Sequence, residues 1–150
     1  MRILVVSLLA AGVSLLTNII IERFIAPLTI IDGFAALRVS VNSGIAFSIT
    51  FHPVVQSILI IVALAAVTGL ALRSRHDALR STGFGLIIGG AIANLIDRLG
   101  DGFVTDYIVI GQFPVFNAAD TCITIGVALL ILHEFLRHSA ISRGSKTRSK

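Results

Sequence analysis

The chain has 150 residues, of which 55% are hydrophobic and only 13% are charged, and its formal net charge is +4. Since a soluble globular domain has about 25% charged residues, this composition excludes an ordinary soluble domain and indicates a membrane protein. The single cysteine, Cys122, excludes an internal disulfide.

Four apolar windows approach the length of about 20 residues that a transmembrane helix requires. They cover residues 3–21, 54–72, 81–96 and 121–135. The first window lacks a clear small-x-small cleavage site, so we predict a retained helix rather than a cleaved signal peptide. The sequence thus predicts an all-α membrane protein with four transmembrane helices, in one domain over residues 1–136. Residues 137–150 form a basic tail that we expect to be disordered.

Basic residues in the short loops predict the orientation of the helices. Nine fall on one side and three on the other: Arg2, Arg73, Arg75, Arg80, Arg137, Arg143, Lys146, Arg148 and Lys150 against Arg23, Arg38 and Arg98. The positive-inside rule then places both termini in the cytoplasm. The basic tail has no aromatic residues, so we expect it near anionic lipid headgroups and predict no nucleic-acid partner.

Two outer loops carry strand patterns. Apolar residues alternate over residues 37–41 and again over 45–49, with a bend at residues 42–44 between them. The second outer loop offers VTDYIVI, residues 104–110, as a further strand that contains Asp106. These patterns predict a small extracytoplasmic β-cradle over the helix ends.

The third window has small residues at a helical spacing. Gly85, Gly89 and Ala93 recur at every fourth position, which predicts a smooth face that a neighbouring helix approaches closely. Asn94 follows on a neighbouring face, and a buried side-chain amide needs hydrogen-bond partners. Asn94 is therefore a candidate for more than helix packing.

The sequence lacks the residues that several catalytic mechanisms require. The only lysines, Lys146 and Lys150, lie in the tail, which excludes a Ser-Lys protease. His52 is the one histidine on the outer side, and we interpret it as an interfacial residue. His133 and His138 are five residues apart, whereas zinc binding on one helix face requires a spacing of four. We predict neither a metal nor another cofactor.

Carboxylates remain, and four lie on the outer side: Asp97, Asp101, Asp106 and Asp120. Two close carboxylates share a proton and serve together as base and acid in amide hydrolysis. Asp120 suits one half of such a dyad because the helix dipole favours its charge at the start of the fourth helix. Its alternative role is helix capping, although Asn117 already offers a cap.

The partner of Asp120 stays open among the other three acids at this point. Taken alone, Asp106 suits an ordinary polar residue at a strand edge. Asp97, followed by Arg98, suits an ion pair or an anchor at the helix end.

Four short runs occur in order along the chain: NSGIAFS, GGAIANLIDRL, GFVTDY and FNAAD. Each is weak alone, but together, over residues 40–135, they resemble the signal peptidase II family of bacterial lipoprotein signal peptidases. The resemblance implies a membrane aspartyl endopeptidase that removes signal peptides from diacylated prolipoproteins by cutting before the lipid-modified cysteine. It also implies a location in the bacterial inner membrane, with the active site on the outer side.

The same resemblance implies roles for particular residues. The catalytic dyad would be Asp106 and Asp120. The residues implied to support the dyad or bind substrate are Asn42, Gly44, Asn94, Arg98 and Asn117. We further expect a monomer in contact with membrane lipid.

Two departures from the family pattern leave alternatives. Family members carry D-x-x-T-K in the first helix, whereas here Ser14 replaces the acid and Asn18 replaces the lysine. The loop between the two aspartate runs is also short. The alternatives are a non-catalytic paralogue that binds lipoprotein precursors and a small proton-coupled transporter. A transporter would place acids at mid-depth, whereas these gather at one side. The motifs that contain the two aspartates are intact, so we favour an active enzyme.

Overall fold

The computed structural model describes the backbone of residues 1–44, 53–73 and 77–147, and the side chains of residues 1–44, 55–73 and 77–138. Four helices and three strands are described along this part of the chain. In order they are α1 Arg2–Phe24, β1 Leu28–Ile31, β2 Ala35–Asn42, α2 Pro53–Arg73, α3 Ala78–Asp101, β3 Val104–Ile110 and α4 Ala118–Thr147.

All four helices are long and apolar enough to cross a membrane, which confirms the predicted spans. Large apolar side chains point outward along them, among them Leu8 in α1, Ile58 and Val62 in α2, and Ile131 in α4. In water such a surface would be unfavourable, but lipid tails solvate it. The helical backbone bonds to itself, so a bilayer leaves its polar groups satisfied.

Two helices differ at their ends from the predicted windows. α3 begins at Ala78, because the Asp77 carboxylate accepts the backbone N–H of Arg80 at 2.8 Å and caps the helix. α4 continues to Thr147, past the domain boundary predicted at residue 136 and into the expected disordered tail. No proline interrupts residues 137–147, so the helical hydrogen bonds continue there. The division into a domain and a tail stays a prediction.

α3 lies between α1 and α4 and packs against both. A Cβ atom added at Gly89 would lie 2.5 Å from the Ser7 carbonyl of α1, and one at Gly90 would lie 2.4 Å from the Ala119 carbonyl of α4. Only glycine allows this approach on two sides. The smooth face predicted for α3 is thereby confirmed as the surface that α1 contacts.

The three strands form an antiparallel sheet in the order β1-β2-β3. The end of β2 pairs with the start of β3, with Ser40 opposite Asp106 and Asn42 opposite Val104. The predicted strands at residues 37–41 and 104–110 are confirmed, while the one at residues 45–49 lies outside the described residues. Sequence patterns did not predict β1, because its four residues, LTII, show no alternation. The sheet brings Asn42 beside Asp106.

Candidate active site

Asp106 lies on β3 and is 2% exposed. One carboxylate oxygen accepts the amide of Asn42 at 2.8 Å, and the other accepts the amide of Asn117 at 3.0 Å. Burial, with the nearby charge of Asp120, raises the pKa of Asp106 from 3.8 to about 6, although both amides and Arg98 act to lower it. Asp106 therefore takes up a proton at a pH where an ordinary aspartic acid is ionised.

Asp120 lies in the first turn of α4. Its Oδ1 accepts the side-chain amide of Asn94 on α3 at 2.8 Å. Its Oδ2 accepts the backbone N–H of Asn117 at 3.3 Å, while the Asn117 side chain accepts the backbone N–H of Asp120 at 2.9 Å. This reciprocal pair is a capping box. The predicted cap at Asn117 is confirmed, and Asp120 takes part in it.

Asn117 connects the two carboxylates. It is fully buried, and its side-chain nitrogen lies 3.0 Å from Asp106, 3.1 Å from the Asn94 oxygen and 3.3 Å from the Thr105 carbonyl. Through its backbone N–H it also contacts Asp120. Asn117 thus fixes the start of β3, the start of α4 and the C-terminal half of α3 relative to each other.

The path of the chain after β3 places Asn117 between Asp106 and Asp120. Phe116 pairs with Ile108 through two backbone hydrogen bonds of 2.8 and 3.2 Å, so the short loop folds back along β3. The Tyr107 hydroxyl accepts the backbone N–H of Ala118 at 3.1 Å, which satisfies a donor at the helix start. Sequence reasoning missed Tyr107. The only signal was its place beside Asp106 in a short, buried strand.

Arg98 supplies a positive charge at the site. Its guanidinium donates to the Gly44 carbonyl, and its charge acts on both Asp106 and Asp120. The Gly44 N–H in turn donates to the Asn42 side chain at 2.8 Å. Arg98 and Asn42 together hold the turn that follows β2, next to the carboxylates.

A cavity of about 610 Å³ opens beside the two aspartates. One wall is the end of β2 with residues 43–44, and the other is residues 113–116 with the first turns of α4. Phe113 and Phe116 meet there edge to face, with ring centroids 5.8 Å apart. Its lining is Ser40, Val41, Asn42, Ser43, Gly44, Asp106, Phe113, Pro114, Val115, Phe116, Asp120, Thr121, Ile123, Thr124 and Ile125. The cavity can take an extended apolar ligand with polar groups at the carboxylates.

The other two acids of the predicted outer side have different surroundings. Asp97 accepts the backbone N–H of Thr105 at 2.8 Å and the amide of Asn18 at 3.2 Å, so it anchors the end of α3, one of its two predicted roles. Asp101 accepts the backbone N–H of Phe103 at 3.0 Å and is exposed. The seven residues predicted for the site come together, and Asp106 is the acid linked to Asp120.

Two carboxylates linked through Asn117 lie beside a largely apolar cavity, in a protein with four helices long and apolar enough to span a membrane. This combination defines a class of membrane protein equipped for aspartic protease chemistry. The family model described as signal peptidase (SPase) II matches residues 6–136. A bacterial membrane enzyme solved by the in meso method at 2.3 Å resolution superposes with a TM-score of 0.82. It is 25% identical, and the match covers 92% of this chain and 90% of that one.

Curated relatives agree with the family model. The lipoprotein signal peptidase of Symbiobacterium thermophilum is 38% identical over 117 residues, which are 72% of this chain and 75% of the relative. That of Dehalococcoides mccartyi is 38% identical over 127 residues, which are 78% of each chain. The chain belongs to the signal peptidase II family. It is a multi-pass bacterial membrane protein and an aspartic endopeptidase, as predicted.

Proposed function

We propose that the chain is a lipoprotein signal peptidase whose catalytic dyad is Asp106 and Asp120. The observation that carries this proposal is the link between the two carboxylates through Asn117, at the edge of the cavity. Family membership supports the peptidase activity. It gives no support to a proton-coupled transporter, and the assembled dyad favours an enzyme over a non-catalytic paralogue.

The dyad holds one proton between its two acids. The ionised carboxylate takes a proton from a water molecule as the water oxygen attacks the amide carbonyl carbon. The protonated carboxyl group donates to the oxygen of that carbonyl as negative charge develops there. When the C–N bond breaks, the leaving nitrogen receives the proton that the base took from water. One acid is then ionised again and the other still holds its proton, so the dyad is back in its starting state. Asn42, Asn94 and Asn117 hold the carboxylates through amide donors.

The substrate we propose is a diacylated prolipoprotein, cut before its lipid-modified cysteine. Relatives that share more than two thirds of their length with this chain carry the name lipoprotein signal peptidase. The cavity supports such a substrate because its lining combines the two carboxylates with apolar residues, Phe113 and Ile125 among them. Such a lining suits a peptide that emerges from the apolar phase.

We place the active site on the outer side of the inner membrane, with both termini in the cytoplasm. The charge asymmetry of nine basic residues against three supports this orientation. Asp120 lies at the start of α4 and Asp97 near the end of α3. We therefore place both acids on the same side of the membrane as the sheet. We expect the enzyme to act as a monomer surrounded by lipid.

The test uses purified protein in detergent and a diacylated prolipoprotein, with cleavage followed as a gel shift. Asp106→Asn and Asp120→Asn should abolish cleavage and leave a folded protein. Asp101→Asn is the matched control, because Asp101 is an outer aspartate outside the cavity lining, and it should cleave like wild type. Substantial cleavage by either dyad variant would refute the assignment. A folded wild type that binds the precursor without cutting it would instead identify the non-catalytic paralogue.

A further inference from the structure

Thr105, the residue before Asp106, is held through its three polar groups by α1, by α3 and by Asn117. Its backbone N–H donates to Asp97 on α3 at 2.8 Å. Its hydroxyl donates to Glu22 on α1 at 2.5 Å. Its carbonyl accepts the amide of Asn117 at 3.3 Å. Thr105 is therefore fixed at the junction of the two helices and the site.

This junction is the route by which α1 reaches the site. The cavity lining comes from β2, β3, α4 and the segments after β2 and β3. On α1, Asn18 and Glu22 are four residues apart and so share one helix face. Asn18 donates to the same Asp97 oxygen that accepts Thr105, at 3.2 Å. α1 thus contacts Thr105 directly through Glu22, and indirectly through Asn18, which binds the same Asp97 oxygen as Thr105.

Side chains alternate along a strand, so Thr105 points away from the face where Asp106 lies. A hydrogen bond to a carboxylate is stronger than one between neutral groups. Thr105 makes two of them, a part-buried bond to Asp97 and a solvent-exposed bond to Glu22. Any shift of Thr105 along or across β3 moves Asp106 with it, because the two residues share a peptide bond. Productive geometry in a site tolerates only about 0.5 Å of displacement.

We propose that Thr105, clamped by Asp97 and Glu22, is a positioning residue that sets Asp106 against Asp120 for cleavage. This inference rests on the proposed function, since it takes these two acids as the dyad. Thr105 acts on turnover and not on substrate binding, because its polar groups contact α1, α3 and Asn117 rather than the cavity.

The first test is Thr105→Val, which removes the hydroxyl and keeps the branched shape and the backbone N–H. A displacement of 1 Å can cost about 100-fold in rate, and for this partial loosening we expect kcat to fall about 10-fold with KM unchanged. Thr105→Ser, which restores the hydroxyl, should recover most of the loss. Thr68→Val is the matched control: Thr68 is also half-buried, and its hydroxyl donates within α2, to Leu64, at 2.8 Å.

A double-mutant cycle adds a test that does not depend on one variant. Glu22→Ala removes the acceptor of the same hydrogen bond, so Thr105→Val and Glu22→Ala combined should lower kcat no further than either alone. Asp97→Ala should cost more, because it frees the backbone of β3. Asp101→Ala, at the end of the same helix, removes an equivalent bond to a backbone N–H and should leave kcat unchanged.

Three results would overturn the positioning role. They are a wild-type kcat in Thr105→Val, no rescue by Thr105→Ser, and losses that multiply in the double variant. If Thr105→Val fails to fold, Glu22→Ala and Asp97→Ala decide the question, and wild-type turnover in both would end the proposal. If Asp106→Asn still cleaves, the dyad itself is wrong. An inactive Asp106→Asn beside a fully active Thr105→Val would refute the positioning role alone.

Discussion

Asn117 serves two purposes that substitution can separate. Its side-chain oxygen caps α4 by accepting the backbone N–H of Asp120, and its side-chain nitrogen donates to the buried Asp106. Asn117→Ala removes both contacts. Asn117→Ser keeps a good capping oxygen but loses the donor. The two variants should therefore differ in stability while sharing a catalytic defect.

The magnitudes follow from the contacts. Losing the cap costs about 1 kcal/mol, and leaving a buried acceptor at Asp106 without its donor costs about 1–3 kcal/mol. We expect Asn117→Ala to lose about 3 kcal/mol of unfolding free energy and Asn117→Ser to lose about 2 kcal/mol. Both should cleave at least about 10-fold more slowly, because the link between Asp106 and Asp120 is gone.

The assay pairs denaturant unfolding in detergent with the gel-shift measurement of prolipoprotein cleavage. Asn117→Asp serves as a third variant, since it keeps a capping oxygen but places a negative charge beside Asp106. It should raise the pKa of Asp106 further and cleave poorly. Wild-type cleavage by Asn117→Ser would refute the bridging role. Equal stability of the Ala and Ser variants would refute the cap.

Three further predictions follow. The pKa of Asp106 is raised to about 6 in the folded protein, so the stability of the wild type should fall as pH rises from about 4 to about 6. Asp106→Asn should show a smaller fall. Equal changes in melting temperature for the two proteins across that pH range would contradict this prediction. Gly90→Ala should push the start of α4 away and lower cleavage more than 10-fold, while Gly100→Ala, in open space on the same helix, should not. Asn18→Ala should lower kcat less than Asp97→Ala, because Thr105 keeps its bond to Asp97; the reverse order in a kinetic comparison would contradict the network.

The helices and part of the sheet could be predicted from sequence because they depend on local pattern. Hydrophobic windows of bilayer length located α1 to α4. Alternation located β2, and the run VTDYIVI was predicted as the strand β3. The end of α4 and the strand β1 could not be predicted this way. β1 owes its existence to pairing with β2, with Leu28 opposite Leu37, and such pairing leaves little trace in a four-residue run.

The candidate site could be proposed from sequence as a set of residues but not as a network of contacts. The aspartates were proposed from their position on the predicted outer side, and the choice of Asp106 came from a resemblance to a known family. The role of Asn18 could not be foreseen, because it depends on an oxygen of Asp97, 79 positions along the chain. The contacts of Thr105 could not be predicted either, since a β-branched residue in a strand gives no indication that it will contact two helices.

The order of the sheet has a consequence for biogenesis. β2 lies before α2, and its partner β3 lies after α3, so two candidate membrane spans are synthesised between the two strands before they can pair. Asp120 follows later still, at the start of the last helix. A chain synthesised from its N-terminus therefore lacks one half of the proposed dyad until synthesis reaches the last helix. The element order thus makes the proposed site one of the last parts of the molecule that can be completed.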